Sequence, residues 1–269
     1  MSDKPLVSVV IPTYNRPEAL RRAISSVLSQ KGVELDIIVV DDASDLDMSG
    51  ELAGYPQVTY LRNEKNMGGG YARNRGIEAA RGAFISFLDD DDEFYDGKLQ
   101  KQVQKFAESS IDSLGIVTCH VRDLRSGKEV ILKNSYKGDI YHKSLERYTA
   151  KMTHSFLFKT EAVKKIGGFD TTLPSNQEYD LIIRLSKNYK IDFVDEVLAQ
   201  ANRSAGQIHS NFDKKREGAL QLFRKFDNEY RRMGWFFYTK MRVKLLLLLF
   251  RFWVGKHFGE KAYRMLLRH

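Results

Sequence analysis

The chain alternates between short, almost wholly apolar runs and longer stretches where apolar residues recur every three to four positions. Residues 6–11, rich in β-branched side chains and ended by Pro12, read as a buried strand. From Arg16 to about Gln30, Leu20, Ala23, Ile24, Val27 and Leu28 fall at helical spacing, and Gly32 ends the pattern. Residues 35–40 form a second buried strand, closed by Asp41 and Asp42. Two such strands joined by a helix predict a β-α-β unit with parallel pairing and a right-handed crossover. A third strand follows at 58–61, then a flexible glycine loop at 68–70, a helix at 71–80, a fourth strand at 83–88 and a helix at 98–109. This is the layering of a nucleotide-binding α/β fold.

The second part is more mixed. Strands are expected near 116–120, 155–159 and 191–194, with helices at 161–165 and 178–187. From Phe212 the pattern turns helical and stays so. The organisation is therefore an α/β region over 1–211, alternating over 1–110 and more mixed over 111–211, and a helical basic and apolar extension over 212–269.

Composition adds three constraints. At 269 residues, 42% hydrophobic and 29% charged, the chain fits a globular protein of one large domain or two small ones. A single cysteine excludes an internal disulfide and points to a reducing compartment. Cys119 reads as a small buried residue or as a thiol paired with His120; neighbours on a strand face opposite ways, which disfavours the pair. The opening residues do not read as a secretion signal, and no apolar run reaches the roughly 18 residues of a spanning helix. The net charge of +8 is uneven: ten Lys and Arg against Glu260 from Arg231 onward leave the remainder at −1, so the extension expects an acidic partner.

The chemistry concentrates at strand ends. Asp89, Asp90, Asp91 and Asp92 follow the fourth strand directly, at the carboxyl edge where open α/β sheets bind ligands. Their mutual repulsion calls for a hard divalent cation; the alternative is an acidic turn with a helix cap. Asp41-Asp42 and Thr13-Tyr14-Asn15 also end strands, so all three would converge on one crevice. The glycines at 68–70 match neither the dinucleotide nor the P-loop spacing.

Residues 7–16 (VSVVIPTYNR), 38–44 (IVVDDAS), 66–69 with 72–76 (NMGG, ARNRG), 87–93 (FLDDDDE), 167–170 (GGFD) and 177–181 (QEYDL) together resemble family 2 glycosyltransferases, in order, over about residues 6–210. The resemblance implies a GT-A fold, an inverting mechanism and a nucleotide-diphosphate sugar donor, with a uridine nucleotide as the default and guanosine or thymidine open. On it, residues 1–211 would be the catalytic domain, with a nucleotide-binding half over 1–110 and an acceptor half over 111–211. It also implies bound Mn2+ or Mg2+. By position, Thr13, Tyr14 and Asp42 would hold the base and Pro12 would shape the turn. Asp89 and Asp90 would lie near the ribose, and Asp91 would bind the metal, with Asp89 beside it. Arg73 would contact the donor. Glu178 stands where the family more often has its Asp general base. Asp180 lies roughly 200° away on a helix, so only one of the two can readily face the site. The plain alternative for Glu178 is a carboxylate favoured by the helix dipole. His154 and His209 stand alone, as surface residues or as diphosphate contacts, His209 near Arg203.

The implied reaction moves a sugar to a hydroxyl of a glycan or lipid-linked glycan, in cell-surface polysaccharide synthesis. Two rivals are a sugar nucleotidyltransferase, whose basic glycine-rich loop is missing after the first strand, and a silent nucleotide-sugar-binding scaffold. In the extension, Lys240, Lys244 and Arg251 lie within roughly 40° on a helical wheel beside a broad aromatic and aliphatic face. That face would rest on a membrane surface, pack on the catalytic domain, or form a homodimer. The expected location is cytoplasmic and peripheral on the inner face of the cell membrane. No nucleic-acid recognition motif accompanies the positive charge.

Overall fold

The computed structural model describes residues 4–46, 48–124, 129–147, 149, 152–202 and 211–266. In chain order the elements are β1 (Leu6–Thr13), α1 (Pro17–Leu28), β2 (Glu34–Asp41), α2 (Met48–Leu52), β3 (Val58–Arg62), α3 (Gly69–Ala79), β4 (Phe84–Phe87), β5 (Glu93–Phe94) and α4 (Lys98–Glu108). There follow β6 (Leu114–Asp123), β7 (Val130–Leu132), α5 (Tyr141–Glu146), a 3₁₀ turn (Thr153–Ser155), β8 (Phe156–Lys159), α6 (Thr160–Lys165), α7 (Gln177–Ser186) and β9 (Lys190–Ala201). The chain ends with α8 (Phe212–Lys225), α9 (Asp227–Arg232) and α10 (Trp235–Met265), the last broken at Gly259. Arg203 and His209 lie outside the described residues.

The strands join one mixed sheet in the order β3-β2-β1-β4-β8-β6-β9-β5, with β7 beside β6. From β3 to β4 all pairing is parallel, as the β-α-β reading requires. Beyond β4 the pattern changes. β8 runs antiparallel between β4 and β6, while β6 and β9 are parallel again. The parallel half thus carries the nucleotide-type layers, and the second half is mixed.

β1 lies at the centre of the parallel half, and its sequence shows why. Val7, Val9 and Ile11 pack with Leu20, Ile24 and Val27 of α1 on one face. Val10 packs with Ala72 and Ile77 of α3 on the other. Each such side chain contributes about 1.5–3 kcal/mol by leaving water. A strand covered on both faces tolerates no alternation, hence the continuous apolar run.

Several expectations change. Gly69 and Gly70 are the first turn of α3, not a flexible loop. Gly68 takes a positive φ of 87° as the helix begins, and its amide donates to Asp42 Oδ2 at 2.6 Å. A side chain at Gly70 would run into Gln177 of α7. β9 continues well past Val194, because a register slip near Cys119 and His120 lets the strand resume pairing through Ala201 beyond exposed Asp195 and Glu196. The short α2, β5, β7 and α5 carry too few residues for any periodicity to reveal them.

The extension packs on residues of the mixed half of the sheet domain. Leu222, Phe226, Tyr230 and Met241 join Leu145, Leu173 and Ile183 in one buried cluster. No helix among the described residues is long and apolar enough to cross a membrane.

One buried polar knot ties the entry ends of three strands. Asp36 accepts from the Ser8 hydroxyl (2.7 Å), the Arg81 amide (3.0 Å) and the Arg81 guanidinium (2.7 Å), and Ser8 in turn accepts from the Gly82 amide (2.9 Å). Burial alone would raise the Asp36 carboxyl, but these donors outweigh it and hold it below the usual carboxylate range. A carboxyl lowered by folding stabilises above its unfolded pKa and loses that contribution as pH falls through the folded value. Asp36→Asn is therefore expected to cost about 1–3 kcal/mol at neutral pH. The gap in Tm between the two proteins should shrink as pH drops below roughly 4, measured by thermal melts across pH.

Candidate active site

The carboxyl ends of β1, β2 and β4 meet. After β1 the chain turns sharply at Asn15, whose φ of 55° is a left-handed conformation Asn adopts more easily than most residues. The Asn15 amide donates to Ser44 Oγ (2.8 Å), and Asp45 N donates back to Asn15 Oδ1 (2.7 Å), so the β1 and β2 ends are held together. Pro12 is half-buried in β1, and Tyr14 projects with 41% exposure. The Thr13 hydroxyl donates to Asp90 Oδ2 at 2.8 Å, joining β1 to the acidic turn after β4.

The paired acids after β2 have different surroundings. Asp41 is fully buried and accepts from Ser44 N (2.9 Å), Ser44 Oγ (2.5 Å) and Tyr60 Oη (2.8 Å), with Arg62 at 3.3 Å. Its partners are all parts of the fold. Asp42 accepts from Asn63 Nδ2 (2.7 Å), Met67 N (2.9 Å) and Gly68 N (2.6 Å), and so fixes the segment that leads into α3.

The acidic turn is crowded. Asp90, Asp91 and Asp92 are buried, while Asp89 is partly open. Burial, reinforced by Asp91 and Asp89, pushes the Asp90 carboxyl up to about 6, against the opposing pull of Thr13 and Arg16. Asp92 is likewise raised by burial, against His154. Arg16 approaches Asp90 (3.1 Å) and Asp91 (3.2 Å). Arg73, buried on α3, pairs with Asp89, lies 3.9 Å from Glu178 and sits over the Phe169 ring at 5.5 Å. Four clustered carboxylates at a strand end are the kind of donor set that suits a divalent cation. No three His, Cys, Asp or Glu side chains form a metal cage among the described residues. One or two carboxylates plus substrate phosphates are what Mg2+ ordinarily needs from such a site.

Arg16 and His154 are the partners that sequence reasoning missed. Arg16 stood inside a quoted motif but was read only as a helix opener. His154 is not a surface residue: it is 1% exposed, with Nδ1 2.8 Å from Asp92 Oδ2. Nothing local in the sequence could name that distant carboxylate. Cys119 is fully buried, and burial pushes its thiol up to about 11, which leaves it a packing residue.

On α7 the two candidate bases face different partners. Glu178 is about a third exposed and lies beside Arg73. Asp180 is fully buried, held by Arg184 (2.6 Å) and by Lys225 of α8 (2.6 Å). Arg184 also donates to the Ile166 and Gly168 carbonyls (2.8 and 2.7 Å), and Lys225 reaches Asp170 (2.6 Å). Asp180 is the hub of a network that seats the start of α7.

The sequence model of glycosyl transferase family 2 matches residues 8–167. The chain belongs to that family. The putative colanic acid biosynthesis glycosyl transferase WcaA of Escherichia coli K12 is 29% identical over 245 residues, covering 86% of this chain and 85% of WcaA. Among solved structures, Staphylococcus aureus TarS in complex with UDP-GlcNAc superposes with a TM-score of 0.65 at 19% identity, over 81% of this chain and 66% of that one. The mannosyltransferase PcManGT of Pyrobaculum calidifontis, in complex with GDP-Man and Mn2+, gives 0.65 at 17% identity, over 99% and 75%. Both establish the fold, a GT-A glycosyltransferase fold, and agree with the mixed sheet and flanking helices.

In this glycosyltransferase the two α7 carboxylates are separable by experiment. Asp180→Asn removes the buried carboxylate shared by Arg184 and Lys225, of which Lys225 keeps Asp170, and should cost about 1–3 kcal/mol, seen as a lowered Tm. Glu178→Gln, at a partly open position, should leave Tm within about 2 °C. Equal Tm losses would contradict this division.

Proposed function

We propose that the protein transfers a sugar, with inversion, from a nucleotide-diphosphate donor to a hydroxyl of a glycan or lipid-linked glycan in cell-surface polysaccharide synthesis. The observation that carries this reading is the meeting of the β1, β2 and β4 ends with the start of α7. Arg73 links Asp89 on one side to Glu178 on the other. A family 2 chain with an acidic turn and a separate, partly open carboxylate has the parts for metal-assisted displacement.

In this reading Pro12, Thr13 and Tyr14 line the base pocket, where Tyr14 offers a flat exposed ring. Asp42 supports that pocket through the segment it holds. Asp89 and Asp90 lie toward the ribose. Asp91, with Asp89 alongside, would hold Mn2+ or Mg2+. Such an ion, when bound, supplies positive charge against the departing diphosphate. Arg73 holds Asp89 in place and keeps positive charge near Glu178. Glu178 then takes the proton from the acceptor hydroxyl, whose oxygen attacks the anomeric carbon from the face opposite the diphosphate. Asp180 acts by seating α7. A uridine donor is the default, and TarS, named with UDP-GlcNAc, supports it; PcManGT, named with GDP-Man, keeps guanosine in view. WcaA, named for colanic acid biosynthesis, supports the polysaccharide setting. A lipid-linked acceptor would place the protein peripherally on the inner face of the membrane.

The test is nucleotide release from uridine-, guanosine- and thymidine-diphosphate sugars, with Mn2+ or Mg2+ and with chelator. One donor should release its diphosphate only with metal. Asp91→Ala and Glu178→Gln should each lower the rate by about 100-fold or more. Donor binding, measured by calorimetry with metal present, should weaken mainly in Asp91→Ala. Silence across the panel with membrane extract as acceptor source would favour a nucleotide-sugar-binding scaffold, and full rates in both variants would remove Asp91 and Glu178 from the chemistry.

A further inference from the structure

α10 has two faces of opposite character. Met241 and Phe252 are buried toward the rest of the chain, and Gly255 lets the helix approach the Phe212 ring so closely that a Cβ would not fit. The outer face is apolar and exposed: Trp235 is 80% exposed, Phe236 78%, Leu246 64%, Leu247 54%, Phe250 54% and Trp253 51%. At 100° per residue these six fall within a sector of roughly 120°, into which no Lys, Arg, Asp or Glu of the segment 235–258 projects. Packing on α8, α9 and the Leu145–Ile183 cluster therefore accounts for one side of the helix and leaves the other bare.

The borders of that stripe are cationic. Lys240, Lys244 and Arg251 follow one edge and Arg242 the other. Glu146 pairs with Lys240 (2.8 Å) and Lys244 (3.1 Å), yet the segment from Arg231 onward still holds ten cations against one acid. Beyond the Arg242 edge, a groove of about 520 Å3 opens between α8, α9 and α10. Leu246 and Leu249 form part of its wall, and Arg224 and Arg242 line it with Asp227. The Asp227 carboxylate is already held by Arg231 at 2.6 Å.

We propose that α10 lies flat on an anionic phospholipid surface. The stripe from Trp235 to Trp253 enters the headgroup and upper acyl region, and Arg224 and Arg242 take lipid phosphate in the adjoining groove. An apolar stripe bordered by cations has the charge and shape of an interfacial helix, and its border charges forbid a spanning one. This rests on the membrane location of the proposed function but not on the transfer chemistry.

The chain's two tryptophans, Trp235 and Trp253, both lie in the stripe, so intrinsic fluorescence reads the contact directly. The full-length protein is titrated with phosphatidylcholine vesicles, with and without roughly 30 mol% phosphatidylglycerol. The expected result is a blue shift and co-flotation with the anionic vesicles, at least about ten-fold weaker without phosphatidylglycerol and weakened by about 0.5 M salt. Leu246→Ser with Phe250→Ser should lower partitioning by about ten-fold or more. Arg224→Gln with Arg242→Gln should abolish most of the anionic preference. Nucleotide release from soluble donor should persist in both double variants, so failure of the lipid seat and failure of the enzyme reading give different results. No shift with either vesicle, equal binding to both, or a concentration-dependent dimer that the stripe variants make monomeric would overturn the proposal.

Discussion

Four consecutive carboxylates at the end of β4 repel one another in a partly buried place, and much of the surrounding structure is arranged to contain that repulsion. Arg16 comes from the turn before α1, Arg73 from α3, the Thr13 hydroxyl from β1 and His154 from the turn before β8. Each belongs to a different segment, so the acidic turn draws both halves of the chain to one point. Burial, with Asp91 and Asp89 close by, still pushes Asp90 up to about 6. Clustered carboxylates beside a crevice are a physical basis for recruiting a cation together with a phosphate-bearing ligand.

The second dependence runs through charge of the opposite arrangement. Asp180, without solvent contact, collects Arg184 from its own helix and Lys225 from α8. Arg184 carries the network on to the carbonyls of Ile166 and Gly168, and Lys225 carries it to Asp170. The match to the family model stops at residue 167, short of α7. The C-terminal helices are thus more than an appendage: one lysine of α8 bears on the helix that presents Glu178.

Much of this was legible in the sequence because the strands of the parallel half are buried on both faces and leave an uninterrupted apolar signature. The acids at 89–92 were legible for the same reason, as four charges directly abutting such a strand. Short elements such as β5 and β7 were not, since two or three residues cannot display a period. Partnerships across the chain were also hidden. Nothing near His154 betrays Asp92, and nothing near Lys225 betrays Asp180. The extension's apolar face was visible, but its division into a packed and a bare side depends on where α8 and α9 lie, which only the folded chain defines.

Asn74 of α3 gives and takes a hydrogen bond with the Phe169 backbone, Nδ2 to O and N to Oδ1, each at 2.8 Å. Arg73 is its immediate neighbour, and the segment from Phe169 leads on to α7. The lateral gap between the acidic turn and Glu178 is therefore gauged by a side-chain-to-main-chain clasp rather than by the ligands. The ordering entropy for that gap is spent once, when the chain folds, instead of at every substrate encounter.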